Sequence, residues 1–112
     1  MNHSNFKFYP KVCLCGSTRY KDIFFKVAKF YTLKGCIVTM PMVFAHAGDT
    51  ITDEQKRELD DLHRAKIRDA DFIVIINRNG YIGESTKKEI EYATLLEKEI
   101  IYLEQEKDET KS

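Results

Sequence analysis

The stretch from Phe72 to Ala93 reads FIVIINRNGYIGESTKKEIEYA, and it determines how the rest of the chain is arranged. It begins with a short apolar run, which predicts a fully buried strand. A loop with glycines follows, and then a helix begins with Ser85, Thr86 and Glu89 in its first turn. A strand, a glycine-containing loop and a helix start place backbone N–H groups and a carboxylate at the carboxyl edge of a sheet. Open α/β folds bind their ligands at that edge.

Glu89 allows two interpretations on spacing alone. Thr86-x-x-Glu89 has the form of a capping box, in which the glutamate side chain reaches back to the helix start. The same carboxylate, placed at a ligand-binding edge of the sheet, also suits a catalytic group. The sequence therefore leaves a capping role and a catalytic role open for this residue.

Outward from this stretch, strand and helix patterns alternate along the chain. This order predicts an α/β fold, a flavodoxin-like doubly wound parallel sheet of about four strands in the order 2-1-3-4. We expect a single domain over residues 1–112, in which 1–10 form a lead-in and 104–112 a solvated, charged tail. The predicted strands are 11–15, 36–40, 72–76 and 100–103. The predicted helices start with Ser17 or Thr18 as N-cap, with Thr52 or Asp53, and with Ser85, and they end near Lys34, Asp69 and Lys98.

In this strand order the first and third strands are neighbours, and the winding reverses between them. The loops that follow these two strands should therefore meet at one edge of the sheet. The first loop consists of Gly16, Ser17, Thr18 and Arg19. Its glycine permits close backbone approach, its hydroxyls donate hydrogen bonds, and its arginine adds a bidentate cation, so the turn suits a phosphate or carboxylate. An ordinary helix N-cap beside a surface arginine is the alternative.

The overall charge gives no reason to expect a polyanionic partner. Lys and Arg together number 18, as do Asp and Glu, so the formal net charge is +0. Bulk electrostatics thus favour neither a nucleic acid polymer nor an anionic membrane, and any anion site must be local. Because no apolar run has the length of a membrane span and the first residues lack a signal-peptide core, we expect a cytoplasmic protein.

The cysteines Cys13, Cys15 and Cys36 lie in apolar, strand-like runs. An odd number of cysteines in such runs suits reduced, buried thiols better than a disulfide framework. A zinc site would need further ligands at suitable spacing, and none of the histidines has that spacing. We therefore predict that the chain binds no metal and no cofactor.

Two short segments resemble the nucleoside 2-deoxyribosyltransferase superfamily and, within it, the deoxynucleoside 5′-monophosphate N-glycosidases. Cys15–Arg19, CGSTR, is similar to the family's CGSxR-type turn, which in the monophosphate glycosidases helps to hold the 5′-phosphate. Glu89–Ala93, EIEYA, resembles the ExGxA-type helix whose leading glutamate is the nucleophile. The resemblance covers about 12–103 in the order of elements, with close identity in these two segments.

The resemblance implies an N-glycosidase or deoxyribosyltransferase that cleaves the base–sugar bond of a nucleoside or nucleotide. The Glu89 carboxylate would have to stay ionised, which the helix start favours, and it would attack the anomeric carbon. Water or a second base would then resolve the covalent intermediate. Asp61, His63 and Glu84 are candidates for protonating the departing base. The expected substrate-contacting residues are Cys15, Gly16, Ser17, Thr18, Arg19, His46, Asn77, Gly83 and Ser85, with Tyr81, Phe44 and Met42 against the base.

Some positions depart from the family pattern. Glu91 stands where the family prefers glycine, Asn77 where transferases carry Asp, and Gly83 where members have Asp or Ser. The altered acid positions support an alternative, a non-catalytic nucleotide-binding or sensing module on the same fold. Relatives commonly form homo-oligomers, so a homodimer or higher homo-oligomer is implied. Phe25 and Phe30, which fall off the buried stripe of their helix, are the candidate contact surface.

Overall fold

The fold follows the predicted alternation of strands and helices. A computed structural model describes residues 7–105. Within them four parallel strands, numbered along the chain, form one sheet in the order 2-1-3-4. This order confirms the α/β, flavodoxin-like prediction. Residues 1–6 and 106–112, most of the predicted lead-in and tail, lie outside the described residues. The elements are β1 (Lys11–Gly16), α1 (Lys21–Leu33), β2 (Ile37–Thr39), α2 (Asp53–Asp69), β3 (Phe72–Ile76), α3 (Glu84–Leu95) and β4 (Glu99–Tyr102).

The sheet has a hydrophobic layer on each face because side chains alternate along its strands. On β1, Val12 and Leu14 point to the layer that α1 covers. Cys13 and Cys15 point to the opposite layer, which α2 and α3 cover. Both faces of β1 and β3 are thus buried, and this explains why their sequences are apolar throughout. The polar side chains therefore lie in the loops that follow these strands at the carboxyl edge of the sheet.

Gly16 ends β1 at a point of close contact with β3. It pairs with Ile76, and a Cβ atom at this position would lie 2.8 Å from the Ile76 carbonyl oxygen. Its φ of +152° also lies in a region that residues with side chains rarely adopt. Gly16 was predicted to permit the close approach of a ligand. Its contact with Ile76 shows that it is required for the pairing of the two central strands.

The first helix begins later than predicted. The Ser17 Oγ accepts a hydrogen bond from the Arg19 N–H, and it caps a short 3₁₀ turn at Thr18–Tyr20. The α-helix proper begins only at Lys21. The predicted capping role of Ser17 is thus real, and the residues of the turn remain outside the regular helix, at the carboxyl edge of the sheet.

The third helix ends at Leu95, earlier than the predicted end near Lys98. Glu97 adopts a left-handed conformation with a φ of 59°. Its N–H donates to the Thr94 carbonyl, and the Lys98 N–H donates to the Ala93 carbonyl, both at 3.0 Å. These two bonds form a Schellman motif, in which glycine usually occupies the left-handed position. A glutamate at that position gave no stop signal in the sequence.

Glu104, the first residue of the predicted solvated tail, is tied to the loop after β3. The Asn77 amide donates to the Glu104 carbonyl at 2.9 Å and accepts from the Glu104 N–H at 2.8 Å. The Glu104 side chain accepts from the Asn79 N–H at 3.1 Å. Glu104 thus belongs to the folded domain, although the tail was predicted to begin at this residue. These bonds engage the amide nitrogen and oxygen of the Asn77 side chain in fastening the end of β4, so the substrate contact predicted for Asn77 gains no support from its position.

Candidate functional site

A cavity of about 460 Å³ lies at the carboxyl ends of β1, β2 and β3. Its walls come from the turn after β1, the loop after β2, the start of α3 and one side of α2. The winding of the sheet reverses at this edge, so the loops after β1 and β3 meet where the topology predicted. The predicted site residues that line the cavity are Gly16, Ser17, Thr18, Arg19, His46, His63, Tyr81, Gly83, Glu84, Ser85 and Glu89.

Asp61 and Phe44, both predicted for the site, do not line the cavity. The Asp61 side chain is 78% exposed and pairs with Arg64 at 3.4 Å, because its position on α2 faces solvent. Phe44 is buried and packs edge-on against Phe24, with ring centroids 5.9 Å apart. Their positions therefore give no support to the acid role predicted for Asp61 or to the base-stacking role predicted for Phe44.

The turn after β1 forms a wall in which Arg19 is held by its neighbours. The Arg19 Nε donates to the Ser17 hydroxyl at 3.1 Å, and its Nη2 donates to the Tyr81 hydroxyl at 3.3 Å. The guanidinium carbon lies 4.5 Å from the centre of the Tyr81 ring, which is a cation–π contact. Tyr81 therefore supports the arginine with one ring face. The positive charge is oriented in the cavity wall by the protein's own groups.

Thr18 and His46 join the turn after β1 to the loop after β2. The Thr18 Oγ1 lies 3.1 Å from the His46 Nδ1 and accepts a hydrogen bond from the His46 N–H at 3.3 Å. Met42, on the same loop, also lines the cavity. The loop rich in apolar residues after β2 thus belongs to the site, although its Phe44 belongs to the core.

Glu89 lies in the second turn of α3 and lines the cavity. The N-cap of α3 is Gly83, and the helix has no side-chain cap, so the capping-box interpretation of Thr86 and Glu89 is wrong. Thr86 is itself buried in the wall of the cavity. The Glu89 side chain is only 19% exposed, which distinguishes it from an ordinary surface acid.

Burial raises the pKa of Glu89 from its usual 4.5 to about 7, although the nearby His63 acts in the opposite direction. The sequence-based expectation that the helix start keeps this carboxylate ionised is therefore wrong. A helix dipole acts mainly within the first turn, and Glu89 lies beyond it. At neutral pH the carboxyl group exists in both protonation states.

His63 and two thiols lie beneath Glu89. The His63 Nε2 lies 3.8 Å from the Glu89 Oε1, 3.2 Å from the Cys15 Sγ and 3.8 Å from the Cys13 Sγ. Burial by itself lowers the pKa of His63, but Cys13 and Glu89 outweigh it and raise that pKa. The hydrogen bond between the thiols lowers the pKa of Cys13 and raises that of Cys15, so the proton stays on Cys15.

The sequence-based expectation that no histidine joins the cysteines is wrong for His63. The two sulfurs and a His63 ring nitrogen lie within 4.8 Å of one another. Both cysteines are buried, free thiols on the same face of β1, as their spacing predicted. The predicted substrate contact of Cys15 is not direct, since its side chain lies below the cavity in contact with His63.

Sequence analysis missed several residues of the cavity wall on α2. Lys56 and Asp60 line the cavity and form an ion pair with an Nζ–Oδ2 distance of 3.0 Å. Lys66 lines it as well, and its Nζ donates to the Met40 carbonyl at 2.8 Å. Helical spacing was the available signal, because residues three or four apart share one side of a helix. Asp60, rather than Asp61, therefore lies on the same side as His63.

No protein-family model matches the chain, and no curated protein matches it either. Among residues 7–105, no helix has both the length and the apolar character needed to cross a membrane. The function of the chain must therefore be inferred from the chemistry of its cavity, together with the two motifs that line its walls.

Proposed function

We propose that the chain is an N-glycosidase or deoxyribosyltransferase that cleaves the base–sugar bond of a nucleoside or nucleotide. The position of Glu89 carries this proposal. Its carboxyl group lines the cavity at the point where the winding reverses, and it does not cap the helix. Burial makes its ionised form unfavourable. A carboxyl group in a cleft whose pKa is strongly raised by burial is typical of a functional site.

In the proposed reaction, ionised Glu89 attacks C1′ of the sugar through an oxocarbenium-like transition state. A C1′–O bond forms as the C1′–N bond breaks, and the bonding electron pair leaves with the base. Water then adds to C1′ and releases the carboxylate, with net retention of configuration. In a transferase, a second base takes the place of this water.

We assign the protonation of the departing base to Asp60, which lines the cavity. The sequence-based candidates fit this role less well. The Glu84 side chain lines the cavity but is 84% exposed, against 45% for the Asp60 side chain. The His63 Nε2 is directed at the thiols and at Glu89 itself. His63 is therefore proposed to influence the charge of the nucleophile instead.

The opposite wall suits an anionic group on the substrate. Arg19 is held in place by Ser17 and Tyr81, so little conformational entropy is lost when it binds a phosphate. Ser85, at the start of α3, lines the same cavity, and the first N–H groups of a helix favour an anion. These groups support a nucleoside 5′-monophosphate as the preferred substrate.

The test is a chromatographic assay for free nucleobase. Purified, metal-free protein is incubated with nucleosides, ribo- and deoxyribonucleoside monophosphates, and NAD. We expect base release from at least one of them and a loss of at least about a thousandfold in Glu89→Gln, as expected when a nucleophile is removed. Glu91→Gln, an exposed acid on the same helix, is the matched control and should remain active. Undiminished release by Glu89→Gln would contradict the proposal.

A non-catalytic nucleotide-binding module is the second candidate. The pKa of Glu89 near 7 favours it, because a protonated carboxyl group donates a hydrogen bond to a ligand instead of attacking it. The same panel separates the two functions when thermal unfolding is followed alongside base release. Stabilisation by one nucleotide without release of any base would support the binding module and contradict the enzyme.

A further inference from the structure

A cluster of soft metal ligands lies below the cavity. The Cys13 Sγ, the Cys15 Sγ and a ring nitrogen of His63 all lie within 4.8 Å of one another. The fold creates this cluster from distant parts of the chain. The alternation of β1 points both thiols to the face that α2 covers, and α2 places its buried histidine directly over them.

The groups around His63 outnumber the hydrogen bonds that its Nε2 can make. Cys15, Cys13 and Glu89 approach this one nitrogen at 3.2, 3.8 and 3.8 Å, but a ring nitrogen serves as a single donor or acceptor. The Nδ1 is buried and has no hydrogen-bond partner among residues 7–105. Hydrogen bonding within the protein therefore does not account for the convergence, whereas ligation of one common ion does.

We propose that Cys13, Cys15 and His63 bind a zinc ion at this position. Tetrahedral Zn–S bonds of about 2.3 Å and Zn–N bonds of about 2.0 Å would separate a sulfur from a nitrogen ligand by about 3.5 Å. The observed S···N distances of 3.2 and 3.8 Å lie on either side of this value. The ligand atoms thus need only small shifts to surround the ion.

The chemistry of the donors selects the metal. Thiolate and imidazole ligands suit Zn²⁺, whereas Mg²⁺ and Ca²⁺ require oxygen ligands. Each thiol releases its proton to solvent as its Zn–S bond forms, and the two thiolates then balance the charge of the ion.

Access and the fourth position both lie on the cavity side. His63 and Glu89 line the cavity, so an ion entering from the cavity meets these ligands before the thiols. The Glu89 Oε1, 3.8 Å from the His63 Nε2, can complete a tetrahedron. Under the proposed function, which this consequence alone presupposes, bound zinc would occupy the nucleophile and stop base release.

The site is tested by titrating the metal-free, full-length protein with Co²⁺, a spectroscopic substitute for zinc. We expect one equivalent to produce the near-ultraviolet thiolate-to-cobalt charge-transfer band and Zn²⁺ to displace it. Cys13→Ser and Cys15→Ser should each weaken binding at least about tenfold, the smallest effect usual even for groups that only support a metal ligand. Cys36→Ser is the matched control, since this cysteine lies outside the cluster, and it should bind as the wild type does.

A wild-type protein without the charge-transfer band would overturn the proposal, and so would equal loss of binding in all three serine variants. Because the buried serines disturb the core, X-ray absorption of the zinc-loaded wild type provides a measurement that needs no variant. We expect two sulfur neighbours around the zinc, and one or none would overturn the site. Neither measurement depends on base release, so failure of the zinc site and failure of the proposed enzyme are distinguishable.

Discussion

At the scale of single residues, Glu89 controls how the proposed reaction depends on pH. The attacking form is the carboxylate, and burial raises the pKa of this group to about 7. For the metal-free protein we expect the ionisation of Glu89 to give base release an ascending limb of about tenfold per pH unit below that pKa. Initial rates measured between pH 5 and 9 test this. A rate that is already level at pH 5 would show that an acid of ordinary pKa performs the attack.

The same carboxyl group should limit stability at high pH. Folded Glu89 keeps its proton up to about pH 7, whereas the unfolded chain loses it near 4.5, so folding takes up a proton between these values. Stability therefore falls as pH rises through this window. Glu89→Gln should remove the loss and gain up to about 3 kcal/mol at pH 8, with little gain at pH 4.

Urea unfolding at both pH values tests this gain in stability. Glu91→Gln, at an exposed position of the same helix, should leave the free energy of unfolding unchanged at either pH. A Glu89→Gln variant that is less stable than the wild type at pH 8 would show that the carboxylate is held by favourable contacts instead of being penalised by burial.

Asp60 and Asp61 form a natural matched pair for locating the acid. They are adjacent on α2, but only Asp60 lines the cavity, while the Asp61 side chain is 78% exposed. We expect Asp60→Asn to lower kcat about a hundredfold or more, as is usual for a general acid, and Asp61→Asn to leave it unchanged. Steady-state kinetics on the best substrate measures both. The reverse order of effects would restore the role predicted from the sequence.

Residues of the site could be predicted where a local sequence pattern marks them. The turn Gly16–Arg19 and Glu89 have local patterns, and both line the cavity. Asp60 and the contact of His63 with the thiols were missed, because they depend on which side of α2 packs on the sheet. Phe44 was expected in the site but lies in the core, because a loop pattern does not reveal whether a side chain points to the cavity or to the core.

At the scale of elements, strand order and strand identity were predictable, whereas helix ends were not. Apolar runs of strand length and the alternation with helices fix the topology through general handedness rules. The end of α3 depends on Glu97 in a left-handed conformation, which a glutamate does not signal. The start of α1 depends on a 3₁₀ turn. Ser17 caps this turn instead of the α-helix that was predicted to begin there. Both differences arise because the backbone groups at a helix end can be satisfied in more than one way.

Gly16 gives a prediction at the scale of the sheet. Alanine there would meet the Ile76 carbonyl at 2.8 Å and adopt an unfavourable φ of +152°. Gly48 also has a positive φ, +116°, but its missing Cβ would meet nothing within 4 Å. We expect Gly48→Ala to lower stability by about 1 kcal/mol, from backbone strain alone, and Gly16→Ala by about 2–4 kcal/mol, because displacement of β3 is added. Equal losses in urea unfolding would show that the close approach of the strands is not limiting.

At the scale of the whole molecule, the distribution of exposed apolar side chains predicts self-association. Phe25, Phe30 and Leu33 of α1 are 46%, 54% and 78% exposed, although α1 already covers one face of the sheet with other residues. Phe25 is partly engaged, because its ring lies 5.9 Å from that of Phe44. Phe30 and Leu33 remain as the centre of a surface that a second copy of the chain would bury.

We expect the wild type to be a dimer or larger at micromolar concentrations and Phe30→Ser to shift it toward monomer, because the substitution removes an aromatic group from the contact. Size-exclusion chromatography with light scattering measures both masses. Leu95→Ser is the matched control, since Leu95 is 79% exposed on α3, a helix that covers the other face of the sheet. A wild type that stays monomeric, or a control that dissociates as readily as Phe30→Ser, would exclude α1 as the contact surface. Because α1 begins immediately after the turn that carries Arg19, self-association through this helix would also restrain one wall of the cavity.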